Sequence, residues 1–488
     1  MSDAAPLVEE LAPAPDPLDC CGRLAGLPHV VFLDSASDPE QLGRHSFLAA
    51  DPFTAVRAKG LLTQQLVDGE WIRVDADPLA HVRALLAPHG RSAVANLPPF
   101  QGGAAGYVGY DWGAALERVP RAHYDDLAVP DLLLGLYDWV IAWDHQAGRA
   151  WVISTGMPER GAARNRRAAR RLAFVKERLA DGRTGGQAAR KRDPDNASAR
   201  PPIRPSAPSY PVPDAPGVRS NFAREGYLDA VARVIEYIRA GDIFQANLSQ
   251  RLEAPLVGTP LALYDRLRHR NPAPFAAFLD FGDVVVASSS PERFLRVQPD
   301  GRVETRPIKG TRPRGLGPEH DAALALALAE SEKDRAENVM IVDLLRNDLS
   351  RVCRPGTVRV PELFALEHYA TVHHLVSTVV GELAPDHDAV DLLRAAFPGG
   401  SITGAPKVRA MQIIAELEPT ARGVYCGAIG YLSATGTLDA SIVIRTYLVR
   451  GRDVYFQVGG GIVADSDPEQ EYRETLDKAR GLIAALEP

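Results

Sequence analysis

The chain has 488 residues, of which 45% are apolar and 24% are charged, the composition of a globular protein that can bury a sizeable core. Its net charge of −7 comes from 62 acidic and 55 basic side chains. The chain therefore lacks the overall basic excess that would indicate a nucleic-acid or membrane-surface partner.

The start of the chain and its cysteines bear on location and redox chemistry. The first residues are acidic where a secretory signal would be basic, and no apolar run approaches the roughly 18 residues that a membrane span needs. We therefore predict a cytoplasmic protein. Cys20, Cys21, Cys353 and Cys426 form no CxxC pair and lack metal-ligand spacing, so neither a disulfide framework nor a zinc site is expected.

Composition divides the chain into three parts. Residues 20–180 mix strand-like runs with glycine- and proline-rich turns and end in an arginine-rich helical stretch. Residues 181–217 are rich in Gly, Pro, Ser and charge, and cannot bury enough apolar surface to order themselves. The pattern predicts an N-terminal region over 20–180, a linker or surface excursion over 181–217, and a second region over 221–486.

The second region has clear periodic patterns. Apolar residues at helical spacing predict a helix over 227–240 that ends at Gly241. Residues 242–252 alternate, with Phe244 on the apolar face and Gln245 on the polar one, which predicts a half-buried strand. Further predicted elements are strands over 283–290, 303–308 and 441–449, two helices within 321–352, a loop and helix over 399–417, and a strand, glycine loop and closing helix over 454–486.

A carboxylate in the predicted helix 331–352 needs an explanation. Glu337 falls in register with Met340, Ile341 and Leu344, the stripe that should face the core. A lone buried carboxylate is costly, so it needs a partner. Either Glu337 ends the stripe and pairs with an arginine such as Arg335 or Arg346, or it serves a site.

The closing helix offers more carboxylates. Asp467 and Pro468 suit an N-cap and first position, and this phase puts Glu471, Glu474 and Lys478 on one face. An ordinary solvated ion pair would explain them, but the glycine run 459–461 just before the helix can bring backbone N–H groups close to a small ligand. Carboxylates from the two helices could hold a hard cation such as Mg²⁺. Arg445 and Lys478 would supply positive charge for a dicarboxylate.

Several longer stretches stand out along the chain. They are GRHSFLAADPF (43–53), SPERF (290–294), RPIKGTRPRG (306–315), AENVMIVDLLRNDL (336–349), VHHLVSTV (372–379), FPGGSITGAPKVRAMQIIAELEP (397–419), GVYCGAIGY (423–431), IRT (444–446) and VGGGIVADSDPEQEYRETLDKA (458–479). These motifs closely resemble those of the chorismate-utilising enzymes, a family that includes the large subunits of anthranilate and aminodeoxychorismate synthases and the isochorismate and salicylate synthases. The resemblance spans about residues 30 to 485, with the motifs in family order.

The resemblance implies a fold and a site. The expected fold is α+β, with two orthogonally packed β-sheets flanked by helices in α/β/β/α layers, built from interleaved halves of the chain. The implied Mg²⁺ ligands are Glu337 and Glu474, with Glu471 close by, and the implied general acid is Glu292. The implied substrate-binding residues are Gln245, Gly310, Thr311, His374, Ser401, Tyr425, Arg445, Gly459, Gly460, Gly461 and Lys478.

Two positions favour one branch of the family. Members that add water resemble one another in placing a lysine where this chain has Gln245, and an amide has no pKa useful for abstracting a proton. Anthranilate synthases typically carry alanine where this chain has Lys309, and in the aminodeoxychorismate branch that lysine resembles a nucleophile attacking ring C2. Such a lysine must be neutral, so its pKa must be lowered by burial, by Mg²⁺ and by Arg306 or Arg312. The alternative is a lysine that only pairs with the substrate carboxylate.

The resemblance therefore predicts amination of chorismate at C4 to 4-amino-4-deoxychorismate, for 4-aminobenzoate and folate synthesis. No cysteine lies in a nucleophile-elbow context, so the ammonia is expected from a glutamine amidotransferase partner or from solution. The rivals are an anthranilate synthase large subunit and, from another class, a non-catalytic tryptophan-binding regulatory subunit.

A second ligand pocket is possible near the N-terminus. Residues 31–39, 43–47 and 271–275 resemble the segments that form a tryptophan pocket in many members, although Asp34 replaces the family's glutamate. The candidate residues are Ser35, Arg44, His45, Phe47, Pro274 and Phe275. Simple packing explains them equally well.

Overall fold

The computed structural model describes residues 5–37, 42–181, 207–369 and 372–487. Its β-strands are β1 Leu7–Leu11, β2 Val30–Asp34, β3 His45–Ala49, β4 Thr54–Lys59, β5 Leu62–Val67, β6 Glu70–Val74, β7 Gly103–Val108, β8 Leu132–Tyr137, β9 Trp139–Asp144, β10 Arg149–Ser154, β11 Tyr210–Pro211, β12 Arg219–Ser220, β13 Gln245–Pro255, β14 Phe275–Asp280, β15 Val285–Ser290, β16 Arg293–Val297, β17 Arg302–Thr305, β18 Ile308–Pro313, β19 Arg359–His368, β20 Val372–Glu382, β21 Gly404–Ala405, β22 Ala428–Ser433, β23 Leu438–Ile442, β24 Thr446–Arg450 and β25 Asp453–Ile462.

Its α-helices are distributed along the chain between the strands. They are α1 Pro17–Leu24, α2 Pro78–Leu86, α3 Gly113–Leu116, α4 Gly161–Ala180, α5 Arg224–Arg239, α6 Pro260–Arg270, α7 Pro318–Ala329, α8 Glu332–Ser350, α9 Ala389–Ala396, α10 Lys407–Leu417 and α11 Pro468–Leu486.

The described strands form two sheets in which the paired strands are antiparallel. One has 13 strands in the order β1-β10-β9-β3-β2-β14-β15-β24-β25-β13-β12-β11, with β21 paired to β13. The other has 12 strands in the order β18-β20-β17-β16-β23-β22-β7-β8-β4-β5-β6, with β19 paired to β20. Each sheet takes strands from before and after residue 181, so the two halves of the chain are interleaved.

Apolar side chains pack in three places, between the two sheets and on the outer face of each sheet. Residues of both sheets, among them Phe47, Tyr107 and Ile429, form the core between the sheets. The outer face of the 13-stranded sheet packs against α1, α4, α6 and α11, and the outer face of the 12-stranded sheet packs against α2, α8, α9 and α10. The α+β class and the α/β/β/α layering are therefore confirmed.

Local signals explain the elements that carry the site. The N-cap Asp467 accepts a hydrogen bond from the Gln470 N–H at 2.9 Å, and Pro468 occupies the first turn of α11, as predicted. Helix α5 confirms the predicted helix over 227–240, and α7 and α8 are the two helices expected within 321–352.

Four local predictions were wrong. The glycine run 459–461 is not a loop but the end of β25, because it pairs with Asn247 to Ser249 of β13. The strand predicted over 441–449 is interrupted at Arg445, whose φ of 51° breaks the extended backbone between β23 and β24. The strand predicted over 303–308 ends at Thr305, and Lys309 lies in a separate strand, β18.

The fourth concerns β13, which is buried on both faces. Gln245 of the predicted polar face is buried, and so are Ser249 and Arg251, which hydrogen-bond to Glu418 and pair with Asp126. Phe244 was predicted on the apolar face, but it precedes β13 and its side chain is 70% exposed.

Most of the predicted linker 181–217 lies outside the described residues. The part that is described from residue 207 contributes the short edge strand β11, which pairs with β12 just after the linker. The division of the chain into three parts stays a prediction. All four cysteines are buried free thiols, as expected. Among the described helices none is long and apolar enough to cross a membrane, and the location of the protein stays a prediction.

Candidate active site

The end of β18, the turn between β15 and β16, and the segment before β21 bring three predicted residues together. The Lys309 ammonium donates a hydrogen bond to the Ser401 carbonyl, with an Nζ to O distance of 2.7 Å. The Ser401 hydroxyl and the Ile308 backbone N–H both hydrogen-bond to the Glu292 carboxylate. Glu292 is 5% exposed, so the predicted acid and the predicted nucleophile share one enclosed space.

Burial moves both groups toward their neutral forms. Burial raises the pKa of Glu292 and outweighs the opposing effect of the Lys309 charge. Burial also lowers the pKa of Lys309, against the attraction of Glu292 and Glu337. Arg306 and Arg312, which we expected to lower this pKa, pair instead with Glu367 and with Asp334. Lys478 is the cation that contributes to lowering it.

The carboxylates of α11 face the glycine run of β25. A Cβ placed on Gly460 would lie 3.1 Å from Glu471 Oε2, 3.6 Å from Glu474 Oε1 and 3.8 Å from Lys478 Nζ. The ends of these three side chains therefore converge on the backbone at Gly460. Lys478 also pairs with Glu474 at 2.7 Å and donates to the Gly459 carbonyl at 2.9 Å.

Glu337 faces the same space from α8. Burial raises its pKa, Lys309 and Lys333 oppose the shift, and Glu471 adds to it. The arginine partners considered for it are engaged elsewhere, since Arg346 pairs with Asp343 and Arg335 lies over the Phe364 ring. Within the described residues Glu337 has no ion-pair partner closer than 4 Å, so the purely structural explanation loses its support.

The carboxylates of Glu337, Glu471 and Glu474 supply oxygen donors, which a hard cation such as Mg²⁺ prefers. Burial raises the pKa of Glu471, and the charge of Glu474 adds to the shift. For Glu474 the ammonium of Lys478 outweighs burial, and the net pKa is lowered. A divalent cation with oxygen preference would relieve this crowding of negative charge. No group of three or more His, Cys, Asp or Glu side chains in the described ranges stands close enough to hold a metal as it is, so the ligand set stays a prediction.

The opposite side of the site carries an uncompensated cation. Arg445 is half-buried, burial lowers its pKa, and no carboxylate of the described chain lies within 4 Å of its guanidinium. His374 Nδ1 lies 2.9 Å from the Thr311 hydroxyl, and His374 also hydrogen-bonds to the Gly310 backbone. Burial, aided by the Arg445 charge, lowers the pKa of His374 to about 4, which keeps the imidazole neutral. These groups form a polar surface suited to an anion.

Tyr425 and Gln245 complete the wall. Tyr425 is half-buried near Arg422, with burial raising the pKa of its hydroxyl. The Gln245 amide packs against Gly461, where an added Cβ would lie 2.0 Å from its Nε2. Both polar atoms of this amide are buried without a hydrogen-bond partner in the part of the chain that the structure describes. Such an amide can both donate to and accept from a small polar molecule.

Sequence reasoning missed three contributors. The Asn247 amide donates to the Ser401 carbonyl at 3.1 Å, the Ser466 hydroxyl donates to Glu471 at 2.6 Å, and Lys333 contributes charge near the three glutamates. The position of Asn247 two residues after Gln245 on one strand face was a usable signal. Lys333, four residues before Glu337, was another.

Several side chains of the possible tryptophan pocket already have partners within the protein. The Ser35 hydroxyl donates to the His45 carbonyl at 2.6 Å and lies 3.3 Å from the Pro274 carbonyl, while Arg44 pairs with Asp144 at 2.6 Å. Phe47 packs edge-on against Phe100 and Tyr431, and Arg293 lies over the Phe275 ring. Asp34 is bound by Arg268 and the Tyr264 hydroxyl. Whether any ligand binds there stays open.

The chain was then compared with known proteins. A family model described as chorismate binding enzyme matches residues 29–484. The chain is similar to aminodeoxychorismate synthase component 1 of Klebsiella aerogenes, with 41% identity over 95% of each chain. It is also similar to anthranilate synthase component 1 of Thermus thermophilus, with 42% identity over 98% of this chain and 96% of the relative.

A solved structure supports the same conclusion about the fold. Anthranilate synthase component I from Streptococcus pneumoniae superposes with a TM-score of 0.75 and 34% identity, covering 92% of this chain and 93% of the other.

Proposed function

Because this chain belongs to the family of chorismate binding enzymes, we propose that it replaces the C4 hydroxyl of chorismate with ammonia-derived nitrogen and forms 4-amino-4-deoxychorismate, a precursor for 4-aminobenzoate and folate synthesis. The observation that carries the proposal is the pairing of Lys309 and Glu292 around Ser401. Burial favours a neutral amine on one and a protonated carboxyl on the other. This is the combination that a nucleophile and a general acid require.

The chemistry follows from these two groups. The lone pair of Lys309 Nζ forms a bond to ring C2, both conjugated ring double bonds shift, and the C4–O bond breaks as Glu292 protonates the departing hydroxyl, which leaves as water. The lysine nitrogen then loses a proton. Ammonia next attacks C4, both double bonds shift back, and the C2–N bond breaks as the lysine nitrogen takes up a proton. The new C4 ammonium then gives a proton to the Glu292 carboxylate, which restores the acid. The net change exchanges hydroxyl for amine at C4.

The remaining residues bind and orient the substrate. Arg445, whose guanidinium has no carboxylate within 4 Å among the described residues, can bind a substrate carboxylate, and Thr311, Tyr425 and neutral His374 can hydrogen-bond to the same carboxylate. The open backbone at Gly460 lets the second carboxylate approach α11 closely. In this arrangement the ring lies between the two ends, with Lys309 beside it.

Glu337, Glu471 and Glu474 would hold Mg²⁺, which is the cofactor we propose. When bound, the ion would neutralise a substrate carboxylate and fix its orientation. The hard oxygen donors and the raised pKa values of Glu337 and Glu471 support this assignment. We further propose that a glutamine amidotransferase subunit supplies the ammonia, since the relatives are named as component 1.

An anthranilate synthase reaction is the second candidate, because the Thermus thermophilus relative is equally similar. That reaction places nitrogen at C2 and releases pyruvate. Lys309 speaks against it, since a lysine beside the ring has no task in the addition of ammonia at C2. A non-catalytic tryptophan-binding subunit would need neither Lys309 nor Glu292.

One incubation separates these functions. The pure protein is mixed with chorismate, Mg²⁺ and ammonium chloride, and the products are identified by mass spectrometry with and without an added aminodeoxychorismate lyase. We expect a product that the lyase converts to 4-aminobenzoate. Anthranilate and pyruvate in its place would establish the second candidate, and unchanged chorismate would support the regulatory subunit.

A further inference from the structure

The carbonyl of Ser401 accepts two hydrogen bonds from side chains on different strands. The Lys309 ammonium of β18 donates at 2.7 Å, and the Asn247 amide of β13 donates at 3.1 Å. Among the described residues this carbonyl is the only hydrogen-bond partner of Lys309 Nζ. A carbonyl oxygen has two lone pairs, so the two donors occupy both. Asn247 is therefore linked to the proposed nucleophile through one oxygen atom.

The main chain around Asn247 is held in place without its side chain. Its N–H donates to the Thr403 carbonyl at 2.8 Å, and its own carbonyl accepts from the Arg422 guanidinium at 2.7 Å. The same guanidinium donates to the Ile402 carbonyl at 3.1 Å. These bonds join β13 to the two residues that follow Ser401. The side-chain amide is thus not needed to keep the strand and the turn together.

The placement of the amide indicates what it does for the amine. The Asn247 side chain is half-buried, and a Cβ placed on Gly461 would lie 3.2 Å from its Oδ1, so the oxygen faces the glycine run while the NH₂ group reaches the Ser401 carbonyl. With one lone pair of that carbonyl taken, Lys309 can approach only the other. An amine that donates one N–H in a fixed direction has fewer directions left for its lone pair, which must point at the ring.

The amide also shares the carbonyl without adding charge. The ionisable groups around the Lys309 amine belong to other residues, among them Glu292, Glu337, Lys478 and Cys426. A carbonyl that already accepts from Asn247 attracts an ammonium less than one that accepts from Lys309 alone. Asn247 therefore favours the neutral amine that attack on the ring requires.

We propose that Asn247 is a positioning residue for the amination, which fixes the Ser401 carbonyl and through it the direction in which the Lys309 amine meets the ring. The inference rests on the proposed function, because it concerns the nucleophile of that reaction. It gives Asn247 no contact with chorismate. Its loss should therefore slow the chemical step and leave substrate binding intact.

The first test compares kcat and KM in one variant. Asn247→Leu keeps the size of the side chain and removes its hydrogen bond. We expect kcat for C4 amination to fall about tenfold, the effect of one lost hydrogen bond, with the KM for chorismate within about twofold of wild type. Asn221→Leu is the control, because that buried amide donates to the Thr420 hydroxyl at 2.8 Å and makes no hydrogen bond to Ser401 or Lys309. The control should lower the free energy of unfolding and leave kcat unchanged.

A double-mutant cycle separates positioning from a general structural effect. In Lys309→Ala the amine that Asn247 positions is gone, so adding Asn247→Leu should leave the residual rate unchanged within about twofold. A penalty of about tenfold in both backgrounds would show that Asn247 acts on the structure of the site as a whole and would overturn the assignment. An unchanged kcat in Asn247→Leu alone would overturn it as well.

A measurement without turnover tests the same link. Cyanate carbamylates neutral amines, and mass spectrometry of the peptide that contains Lys309 gives the rate at fixed pH, with the exposed Lys176 as internal reference. In Asn247→Leu the Ser401 carbonyl keeps Lys309 as its only side-chain donor. We expect labelling of Lys309 relative to Lys176 to slow about threefold, and equal labelling in variant and wild type would count against the proposal. If the wild type forms no C4 amine while the variant still labels more slowly, the proposed function falls and the link between Asn247 and Lys309 stands.

Discussion

Replacing Lys309 tests whether its amine forms a bond to the ring or only attracts a carboxylate. Lys309→Ala removes both properties, whereas Lys309→Arg keeps the positive charge and loses the nucleophile, because a guanidinium does not deprotonate in proteins. The native side chain makes one hydrogen bond, to the Ser401 carbonyl, and is half-buried. The loss of stability should therefore be small, about 1 to 3 kcal/mol.

The expected effect on rate is much larger. Without a covalent step, C4 amination loses the activation of its leaving group, and we expect kcat to fall at least about 10²-fold, which corresponds to roughly 2.7 kcal/mol in the barrier. Lys309→Arg should be as slow as Lys309→Ala. If the amine acts only by charge, the arginine variant should keep most of the activity.

The assay is a coupled one, in which an added lyase converts the product to 4-aminobenzoate and fluorescence reports its formation. Lys176→Ala is the control, since Lys176 is an exposed residue of α4 paired with Glu9. The pH dependence adds an independent measure. The amine must be neutral, so activity rises with pH, and the lowered pKa moves this rise below the usual range for lysine. The general acid must stay protonated, so a second limb of the pH profile should report the raised pKa of Glu292. A rate for Lys309→Arg within about threefold of wild type would refute the nucleophile assignment.

Three further predictions use the same geometry. Arg445→Ala should raise the KM for chorismate about 10- to 100-fold without lowering the free energy of unfolding, because its guanidinium has no carboxylate within 4 Å among the described residues. The control Arg293→Ala breaks a buried pairing with Asp439 and Glu304 and should lower the free energy of unfolding in urea by about 3 to 5 kcal/mol. Equal losses of stability in the two variants would contradict the anion-site assignment. Glu337→Gln should raise the Mg²⁺ concentration needed for half-maximal activity at least about tenfold, whereas Asp343→Asn, on the exposed face of the same helix, should leave it unchanged. Isothermal titration calorimetry with Mg²⁺ measures the affinity without turnover. Equal Mg²⁺ affinity in the two variants would remove Glu337 from the ligand set. Burial lowers the pKa of His45 to about 4, so the folded state favours the neutral imidazole and stability is lost as pH falls from about 6.5 to 4. Between pH 7 and pH 4.5 the free energy of unfolding of His45→Asn, measured in urea, should fall on the order of 2 kcal/mol less than that of wild type. Equal falls in the two proteins would show that His45 does not titrate as assigned.

The sequence by itself determined the periodic elements and the phase of the helices. Asp467 and Pro468 set where α11 begins, and that phase placed Glu471, Glu474 and Lys478 on one face before any tertiary contact was known. The motif order also predicted the layered α+β fold, which the two interleaved sheets confirm. Local composition and helical spacing carry this information because they depend on neighbours within a few residues.

The tertiary structure decided which strands pair and which side chains face one another. Only the pairing of β13 with β25 shows that the glycine run is a strand on which carboxylates converge, and only the break at Arg445 shows a guanidinium without a counter-charge in the described chain. The enclosure of Lys309 and Glu292 likewise depends on Ser401, which lies 92 residues after Lys309 in the sequence. Burial and long-range charge set the pKa of these groups, and neither can be read from the residues that flank them.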